Sequence, residues 1–197
     1  MRPLLGNVNK GFAIIVSAPA GTGKTTLVRM LIDEFPDIFT QSISCTTRPP
    51  RQGEIDGKDY VFLTESAFQK RVNRSEFLEH AQVFDHRYGT LKETVEQQRS
   101  SGKHVILVID TQGALALKGK LKALFVFVAP PSLEALKQRL EKRQTESEEV
   151  INKRLDWAQY EMNQAEHYDY RIVNDDLQTA YQVLKSIVIA EEHRIQQ

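Results

Sequence analysis

The sequence lacks an excess of charge of either sign, has almost no cysteine and contains no long apolar run. Its 197 residues include 26 Lys and Arg and 26 Asp and Glu, so no overall field would hold DNA or RNA on the surface. Cys45 is the only cysteine, which excludes an intrachain disulfide framework and a zinc site built from cysteines. No apolar run approaches the roughly 20 residues that a membrane span needs. We therefore expect a cytoplasmic protein without nucleic-acid or membrane partners, and the oligomeric state is left open.

The chain has enough apolar residues for one well-buried core. Hydrophobic residues make up 41% of the sequence, and 197 residues are few for two independent domains. Apolar runs without alternation, which are typical of parallel strands covered on both faces, lie at 12–16, 105–109 and 124–128, with a weaker one at 170–173. Helical patterns lie at 25–34, 91–101, 133–143, 150–166 and 177–195. This alternation predicts an α/β fold, a doubly wound parallel sheet with right-handed crossovers.

Two segments do not follow this alternation. Segment 42–88 is polar and punctuated by proline and glycine, which predicts a small inserted lobe. Segment 139–154 is charged on most sides, so we expect a helical lid that has little to bury and that moves. We therefore predict a single domain with three parts: a core at 12–41, 91–135 and 156–197, an inserted lobe at 42–90 and a lid at 136–155.

The first motif with chemical meaning follows the first predicted strand. It fits the phosphate-binding pattern G-x-x-x-x-G-K-[ST], with Ala18 in place of the first glycine. In such a loop, backbone N–H groups surround phosphate oxygens, Lys24 reaches the terminal phosphates and Thr25 offers a hydroxyl to Mg²⁺. The residues of this predicted triphosphate site are Ala18, Pro19, Ala20, Gly21, Thr22, Gly23, Lys24, Thr25 and Thr26. The alternative interpretation is a glycine-rich turn that only caps a helix.

A second anion site is indicated by Arg48 and Arg51. The two arginines flank two prolines, which stiffen the backbone, so the guanidinium groups would lose little entropy on binding an anion. Planar guanidinium forks suit phosphate oxygens better than ammonium groups do. A stiff surface loop with solvated arginines is the alternative interpretation of this segment.

The chain closely resembles the guanylate kinases from about residue 12 to beyond residue 176. The phosphate loop is followed by Ser-x-Ser-x-Thr-Thr-Arg-x-Pro-Arg-x-Gly-Glu-x-x-Gly-x-x-Tyr at 42–60, a combination highly specific to that family. Further matches are Glu76-Phe-Leu-Glu79, Tyr88-Gly-Thr90, Ile109-Asp110-x-Gln112-Gly113, Arg139-Leu-Glu-x-Arg143 and Val173-Asn-Asp-Asp176. The resemblance implies a P-loop kinase fold and transfer of the γ-phosphoryl group of MgATP to GMP, giving ADP and GDP, in purine nucleotide metabolism and GMP recycling.

The resemblance also implies roles for residues at matching positions. It places the GMP phosphate against Arg48, Arg51, Tyr60 and Tyr88. It places the guanine against Ser44, Glu79, Thr90 and Asp110, and the adenine of ATP near Asn174. The residues it implies to be catalytic are Lys24, Arg48 and the lid arginines Arg139, Arg143 and Arg154. Without the resemblance, the lid arginines fit a solvated helix face equally well, since acidic residues lie nearby.

The chemistry of guanine agrees with two of these assignments. Guanine offers an O6 acceptor together with N1–H and N2–H₂ donors. The carboxylates of Glu79 and Asp110 can accept from the donors, and a hydroxyl group can donate to O6. Adenine would leave those carboxylates unpaired, and such a site can reject an analogue by roughly 10⁴. The attacking oxygen of a GMP phosphate is already anionic, so we expect no general base.

Two other functions remain open, and one residue departs from the family pattern. Guanylate-kinase-like modules of scaffold proteins bind peptides without catalysis, but they have degraded phosphate loops and lack lid arginines. An enzyme acting on another nucleoside monophosphate would lack the Glu79 and Asp110 pair. Val108 stands where guanylate kinases commonly carry a second acid, two residues before Asp110. We expect the missing carboxylate to raise the Mg²⁺ requirement, unless Val108 only packs in the sheet.

Overall fold

The structure is a computed structural model that describes residues 4–6, 8–83, 85–142 and 147–195. Its strands are β1 Ala13–Ser17, β2 Phe39–Gln41, β3 Cys45–Thr46, β4 Val61–Phe62, β5 Phe77–Val83, β6 His86–Leu91, β7 His104–Val108, β8 Ala123–Ala129 and β9 Tyr170–Val173. Its α-helices are α1 Lys24–Glu34, α2 Glu65–Asn73, α3 Lys92–Ser100, α4 Thr111–Leu117, α5 Leu133–Glu141, α6 Glu148–Asn163 and α7 Leu177–Glu192. A short 3₁₀ helix, Gln164–His167, follows α6 directly.

The larger sheet is parallel throughout and has the strand order β2-β7-β1-β8-β9. Along β1, successive side chains enter opposite clusters: Ile14 packs in one core and Ile15 in the other. The first cluster also receives side chains from α1 and α7, and the second receives them from α3 and α4. Both faces of the sheet are therefore covered, which is why its central strands are almost entirely apolar, with Ser17 and His104 as the polar exceptions at strand ends. The expected α/β fold with a doubly wound parallel sheet is confirmed.

The smaller sheet lies within the segment that interrupts the α/β alternation. Its order is β4-β3-β6-β5, and the β5–β6 hairpin is antiparallel. A separate small core of Cys45, Phe68 and Phe77 joins this sheet to α2. The rings of Phe68 and Phe77 are stacked with centroids 4.5 Å apart. This core covers one face of the hairpin, and Glu79, which pairs with Thr90 after a register shift, lies on the other face.

Helices α5 and α6 pack against each other through their own apolar cluster. The buried members are Leu136 and Leu140 on α5 and Ile151 and Ala158 on α6. Their spacing places each pair on one helix face. The expectation that this charged segment has little to bury is wrong, because apolar side chains are interleaved with the charges. Arg143 lies outside the described residues. Among the helices that the structure describes, none is both long enough and apolar enough to cross a membrane.

Candidate active site

A cavity of about 710 Å³ opens beyond the carboxyl ends of β1 and β7. Four parts of the chain line it: the phosphate loop, the smaller sheet with its loops, the end of β7, and α6. In parallel α/β sheets, ligands bind in the crevice outside the carboxyl ends of the strands. The cavity therefore lies where the fold provides a ligand site.

The phosphate loop leaves β1 and enters α1 at Gly23. That residue has φ 86°, a conformation that side-chain-bearing residues rarely adopt. A Cβ at this position would lie 2.6 Å from the side-chain nitrogen of Asn174, which donates a hydrogen bond of 2.6 Å to the Thr22 carbonyl. Asn174 is 4% exposed and is not among the residues that line the cavity. It therefore supports the loop from behind, and a contact between Asn174 and adenine stays a prediction.

Helix α1 presents its positive end to the cavity. Its first turn contains no acidic residue, so nothing there neutralises the backbone N–H groups. The hydroxyl-bearing residues Thr25 and Thr26 are exposed and line the cavity. Lys24 extends across the loop, with Nζ 3.4 Å from the Ala18 carbonyl oxygen. Burial lowers the pKa of Lys24, and the carboxyl groups of Glu161 and Asp110 oppose this shift.

Two acids meet on the opposite wall of the cavity. Glu79 is 7% exposed and accepts a hydrogen bond of 2.7 Å from the Thr90 hydroxyl. Asp110 caps α4 and accepts from the backbone N–H of Gly113 at 2.8 Å. A Cβ on Gly113 would lie 2.6 Å from Oε2 of Glu79 and 3.1 Å from Oδ1 of Asp110. Only a glycine therefore allows both carboxyl groups to approach the same point.

Burial is the largest influence on the pKa values of Glu79 and Asp110. It raises the pKa of Glu79 to about 7, with the Thr90 hydrogen bond opposing the shift and the nearby Asp110 adding to it. Burial also raises the pKa of Asp110, against the hydrogen bond from Gly113 and the charge of Lys24. Donors from a ligand would favour the ionised forms, so the pair is suited to accept hydrogen bonds from a base that carries adjacent N–H groups.

Arg48 is fixed by Glu54, a residue that the family motif includes but to which the sequence analysis gave no role. Its Nη2 donates to both carboxylate oxygens of Glu54, at 2.8 and 2.9 Å, and its Nη1 donates to the Pro49 carbonyl at 2.7 Å. Glu54 also accepts from the backbone N–H of Arg51 at 2.7 Å. The Arg48 guanidinium lies over the Tyr60 ring, 5.4 Å from its centroid. Glu54 therefore orients the loop that carries both arginines.

One face of α6 forms the remaining wall. The lining residues on it recur every three or four positions: Val150, Lys153, Arg154, Trp157 and Glu161. Only Arg154 among these was predicted. Its helical spacing to Trp157 and Glu161 is the sequence signal that could have found the other two. Burial raises the pKa of Glu161 to about 7, opposed by Lys24.

The structure brings most of the predicted site residues together. Those that line the cavity are Ala18, Pro19, Ala20, Gly21, Thr22, Gly23, Lys24, Thr25, Thr26, Ser44, Arg48, Arg51, Tyr60, Glu79, Tyr88, Asp110 and Arg154. Thr90 is buried directly behind Glu79. Arg139 does not line the cavity, and its Nη2 lies 3.4 Å from the Asp175 carbonyl oxygen. Val108, which the sequence analysis singled out, also lines the cavity. Lining residues that were not predicted are Ala81, Val83, Asp85 and His86 on the lobe and Ile109 directly after β7.

Comparison with known sequences gives one family. The family model described as guanylate kinase matches residues 10–191. A guanylate kinase of Protochlamydia amoebophila is 59% identical over 190 residues, which cover 96% of this chain and 96% of the relative. A guanylate kinase of Chlamydia muridarum is 49% identical over 180 residues, which cover 91% of this chain and 88% of the relative.

Comparison with solved structures agrees. The crystal structure of guanylate kinase from Anaplasma phagocytophilum matches with a TM-score of 0.77 at 30% identity, covering 96% of this chain and 90% of that chain. The SH3-kinase fragment of tight junction protein 3 matches with a TM-score of 0.51 at 17% identity, covering 95% of this chain and 60% of that chain. The second match is a likeness of fold alone.

Proposed function

Because the chain belongs to the guanylate kinase family, we infer that it transfers the γ-phosphoryl group of ATP to GMP and releases ADP and GDP. One observation on this chain supports the inference: the phosphate-binding loop and the carboxyl groups of Glu79 and Asp110 line the same cavity. Direct transfer requires both nucleotides in one space with the reacting atoms in line. A cavity lined by both sites supports this inference.

We propose that the smaller sheet and its loops bind GMP. The guanine donors would reach Glu79 and Asp110, with Ser44 and Thr90 as the accompanying hydroxyl groups. The GMP phosphate would lie against Arg48, Arg51, Tyr60 and Tyr88. The orientation of Arg48 by Glu54 supports this, because a guanidinium group already held in place loses little entropy when a phosphate binds.

ATP is assigned to the phosphate loop, residues 18–26, with Asn174 near the adenine. Thr25 fits a magnesium site, since its exposed hydroxyl is a hard oxygen ligand and Mg²⁺ usually keeps several waters and few protein groups. Within the described residues, no group of three or more His, Cys, Asp or Glu side chains could hold a metal ion alone. We therefore propose that Mg²⁺ arrives with ATP, where it would neutralise charge on the phosphate oxygens.

Catalysis would consist of positioning and charge neutralisation. The attacking oxygen of the GMP phosphate is already anionic, so no base is assigned. Lys24 from the phosphate loop, Arg48 from the inserted lobe and Arg154 from α6 all line the cavity. Together with Arg139 and Arg143, they would stabilise the charge that migrates during transfer.

Lobe and lid are proposed to close over the two nucleotides. The parts are those expected from the sequence, a core, a GMP-binding lobe at 42–90 and a lid at 136–155. Closure would exclude water, which otherwise competes as phosphoryl acceptor. Small-angle scattering of the chain with GMP and a non-hydrolysable ATP analogue should show a smaller radius of gyration than without them. An unchanged radius would contradict closure.

The decisive test is ADP release with GMP, AMP, CMP and UMP compared side by side. We expect turnover with GMP and at most trace turnover with the others. Lys24→Met should reduce turnover by orders of magnitude with a melting temperature near that of the unchanged chain. Near-normal turnover of Lys24→Met would refute the loop assignment, and binding of GMP without any turnover would favour a non-catalytic module.

A cytoplasmic role in purine nucleotide metabolism, including GMP recycling, is the cellular counterpart of this proposal. The small-molecule substrates of the proposed reaction support it. Fractionation of the source cells tests it: recovery of the chain in the membrane pellet would contradict the location.

A further inference from the structure

Glu161 is a buried acid to which the proposed reaction assigns no role. It is 4% exposed and lies on the cavity-lining face of α6, two helical turns after Arg154. The hydroxyl of Thr111 lies 3.3 Å from Oε1 of Glu161. Thr111 is fully buried and is the first residue of α4, directly after Asp110. The Glu161–Thr111 contact therefore joins α6 to the element that carries a guanine-binding acid.

Helix α6 connects two parts of the proposed reaction. Its first turns carry Arg154 and pack against α5 through Ile151 and Ala158. Its last turn carries Glu161 and continues directly into the 3₁₀ helix on the core. Since an α-helix is nearly rigid over four turns, a contact that fixes its last turn also fixes the direction in which Arg154 points. Glu161 makes such a contact beside Asp110, and it faces the cavity that contains Lys24.

We propose that Glu161 is a positioning residue for phosphoryl transfer: through Thr111 it anchors α6, and so sets Arg154 relative to Asp110 and Lys24. This inference rests on the proposed function of those three residues. Glu161 would not touch either nucleotide during the reaction. Loss of the anchor should leave both nucleotides able to bind but should misplace the Arg154 charge that acts on the transferring group. We therefore expect kcat to fall by a larger factor than KM rises.

Four single variants of the full chain separate the anchor from a general effect on folding. Glu161→Met removes both the charge and the acceptor oxygen at similar side-chain length, and Thr111→Val removes the hydroxyl and keeps the volume. Thr111→Ser restores the hydroxyl and should recover most of the activity that Thr111→Val loses. Glu166→Met is the matched control, because Glu166 is an exposed acid on the neighbouring 3₁₀ helix and lies outside the cavity.

We expect Glu161→Met and Thr111→Val each to lower kcat by about tenfold or more, with KM for ATP and GMP changed by less than about threefold. The double variant should be no worse than the worse single variant, because both changes break one contact. Trp157 is the only tryptophan in the chain and lies one turn before Glu161 on the same face, so its fluorescence reports on this part of α6. Its response to nucleotide should change in both variants and stay unchanged in Glu166→Met.

A kcat within twofold of the unchanged chain for either variant would overturn the proposal. So would fully additive losses in the double variant, or losses that a lowered melting temperature accounts for. Lys24→Met is measured in the same series. If Lys24→Met stays active, the proposed function fails at the phosphate loop; if it is inactive while Glu161→Met is normal, only the positioning role is refuted.

Discussion

Glu79 differs from an ordinary acidic residue in two ways. Its side chain is buried, and a second acid, Asp110, lies nearby. Substitution Glu79→Gln exchanges one acceptor oxygen for an N–H₂ group that would face the donors of guanine. We expect GMP binding to weaken by about 10- to 100-fold, the equivalent of roughly 1–3 kcal/mol, while ATP binding changes by less than about twofold. Separate titrations with each nucleotide measure the two effects. Equal losses for both nucleotides would mean that Glu79 supports the fold instead.

The raised pKa of Glu79 leads to a pH dependence of base binding. Its pKa of about 7 lies above the ordinary value of 4.5, so the carboxyl group is protonated in much of the empty protein below neutral pH. The ionised form is the better acceptor for the guanine donors, so affinity should rise from pH 6 to pH 8 by up to about tenfold. Guanosine is the ligand to use, because the GMP phosphate itself titrates near pH 6. A flat profile, or the same slope in Glu79→Gln, would refute the assignment.

Val108 faces the cavity although it belongs to a core strand. It lines the cavity wall and also packs against one of the two main hydrophobic clusters. Val108→Asp would place a carboxylate close to the proposed site of the ATP phosphates and Mg²⁺. We expect the free Mg²⁺ concentration for half-maximal rate to fall by roughly threefold or more, because an acid there can hold waters of the metal.

Val108→Asn is the control for this change, since it has the same shape without the charge. Rate against free Mg²⁺ is measured for all three proteins together with their melting temperatures. An unchanged midpoint, or a Val108→Asp protein that unfolds because its charge is buried without a partner, would show that Val108 serves packing alone.

At the scale of elements, α6 has one apolar face toward α5 and one polar face toward the cavity. Arg154 on the polar face should act on charge that develops during transfer. Arg154→Ala is therefore expected to lower kcat by about 10²-fold or more, with GMP affinity measured without ATP changed by less than about threefold. Arg154→Lys should recover only part of the rate, because it restores the charge but not the planar fork. A matched rise in the GMP dissociation constant would instead assign Arg154 to the acceptor site. Arg143 lies outside the described residues, and the same expectation for it stays a prediction.

The strands of the larger sheet could be predicted where burial leaves a continuous apolar run, as in β1, β7 and β8. Strand β2 was not predicted because it has three residues and two of them are polar. Helix α4 was not predicted either, since its seven residues follow a strand directly and include Gly113. Both elements take their structure from long-range contacts, with β7 and with the carboxyl groups around Gly113 respectively.

The site could be predicted from the sequence only where its residues form short motifs. The phosphate loop and the loop that carries Arg48 and Arg51 could be predicted because their residues are neighbours in sequence. Glu79 and Asp110 were implied by the family resemblance. Trp157 and Glu161 could not be assigned, since each is an ordinary residue until the fold places it beside the cavity, and Glu54 belongs to the family motif but its role beside Arg48 became visible only in the fold. Residues that orient others have no chemical signature of their own in a sequence.

The whole molecule carries buried titratable groups at its two ends, and their effects on stability have opposite signs. At the cavity, burial raises the pKa of Glu79 and of Glu161 to about 7. The stability linked to their protonated forms is fully present below their unfolded pKa near 4.5 and is lost as pH rises through about 7. At the other end of β7, burial lowers the pKa of His104.

His104 ties both ends of the chain to the sheet. Its Nδ1 accepts from the backbone N–H of Phe12 at 3.2 Å, so the proton of the neutral ring is on Nε2, which lies 2.8 Å from a Glu192 carboxylate oxygen. That oxygen also accepts from the backbone N–H of Gly6 at 2.9 Å. Protonation at Nδ1 would break the bond to Phe12. The His104 contribution to stability is therefore present above the unfolded pKa of about 6.5 and lost as pH falls below it.

We expect His104→Asn to isolate this contribution from the opposing one at the cavity. The unchanged chain should lose stability relative to His104→Asn as pH falls from 7.5 to 5, by at most about 1.4 kcal/mol per pH unit, because a single proton is involved. Urea unfolding at each pH measures the difference between the two free energies of unfolding. His167→Gln is the control, since His167 is exposed and its replacement should leave the pH profile unchanged. If the difference between the unchanged chain and His104→Asn is constant across this range, the ring is not kept neutral by its burial, and the anchoring of the two chain ends does not depend on its protonation.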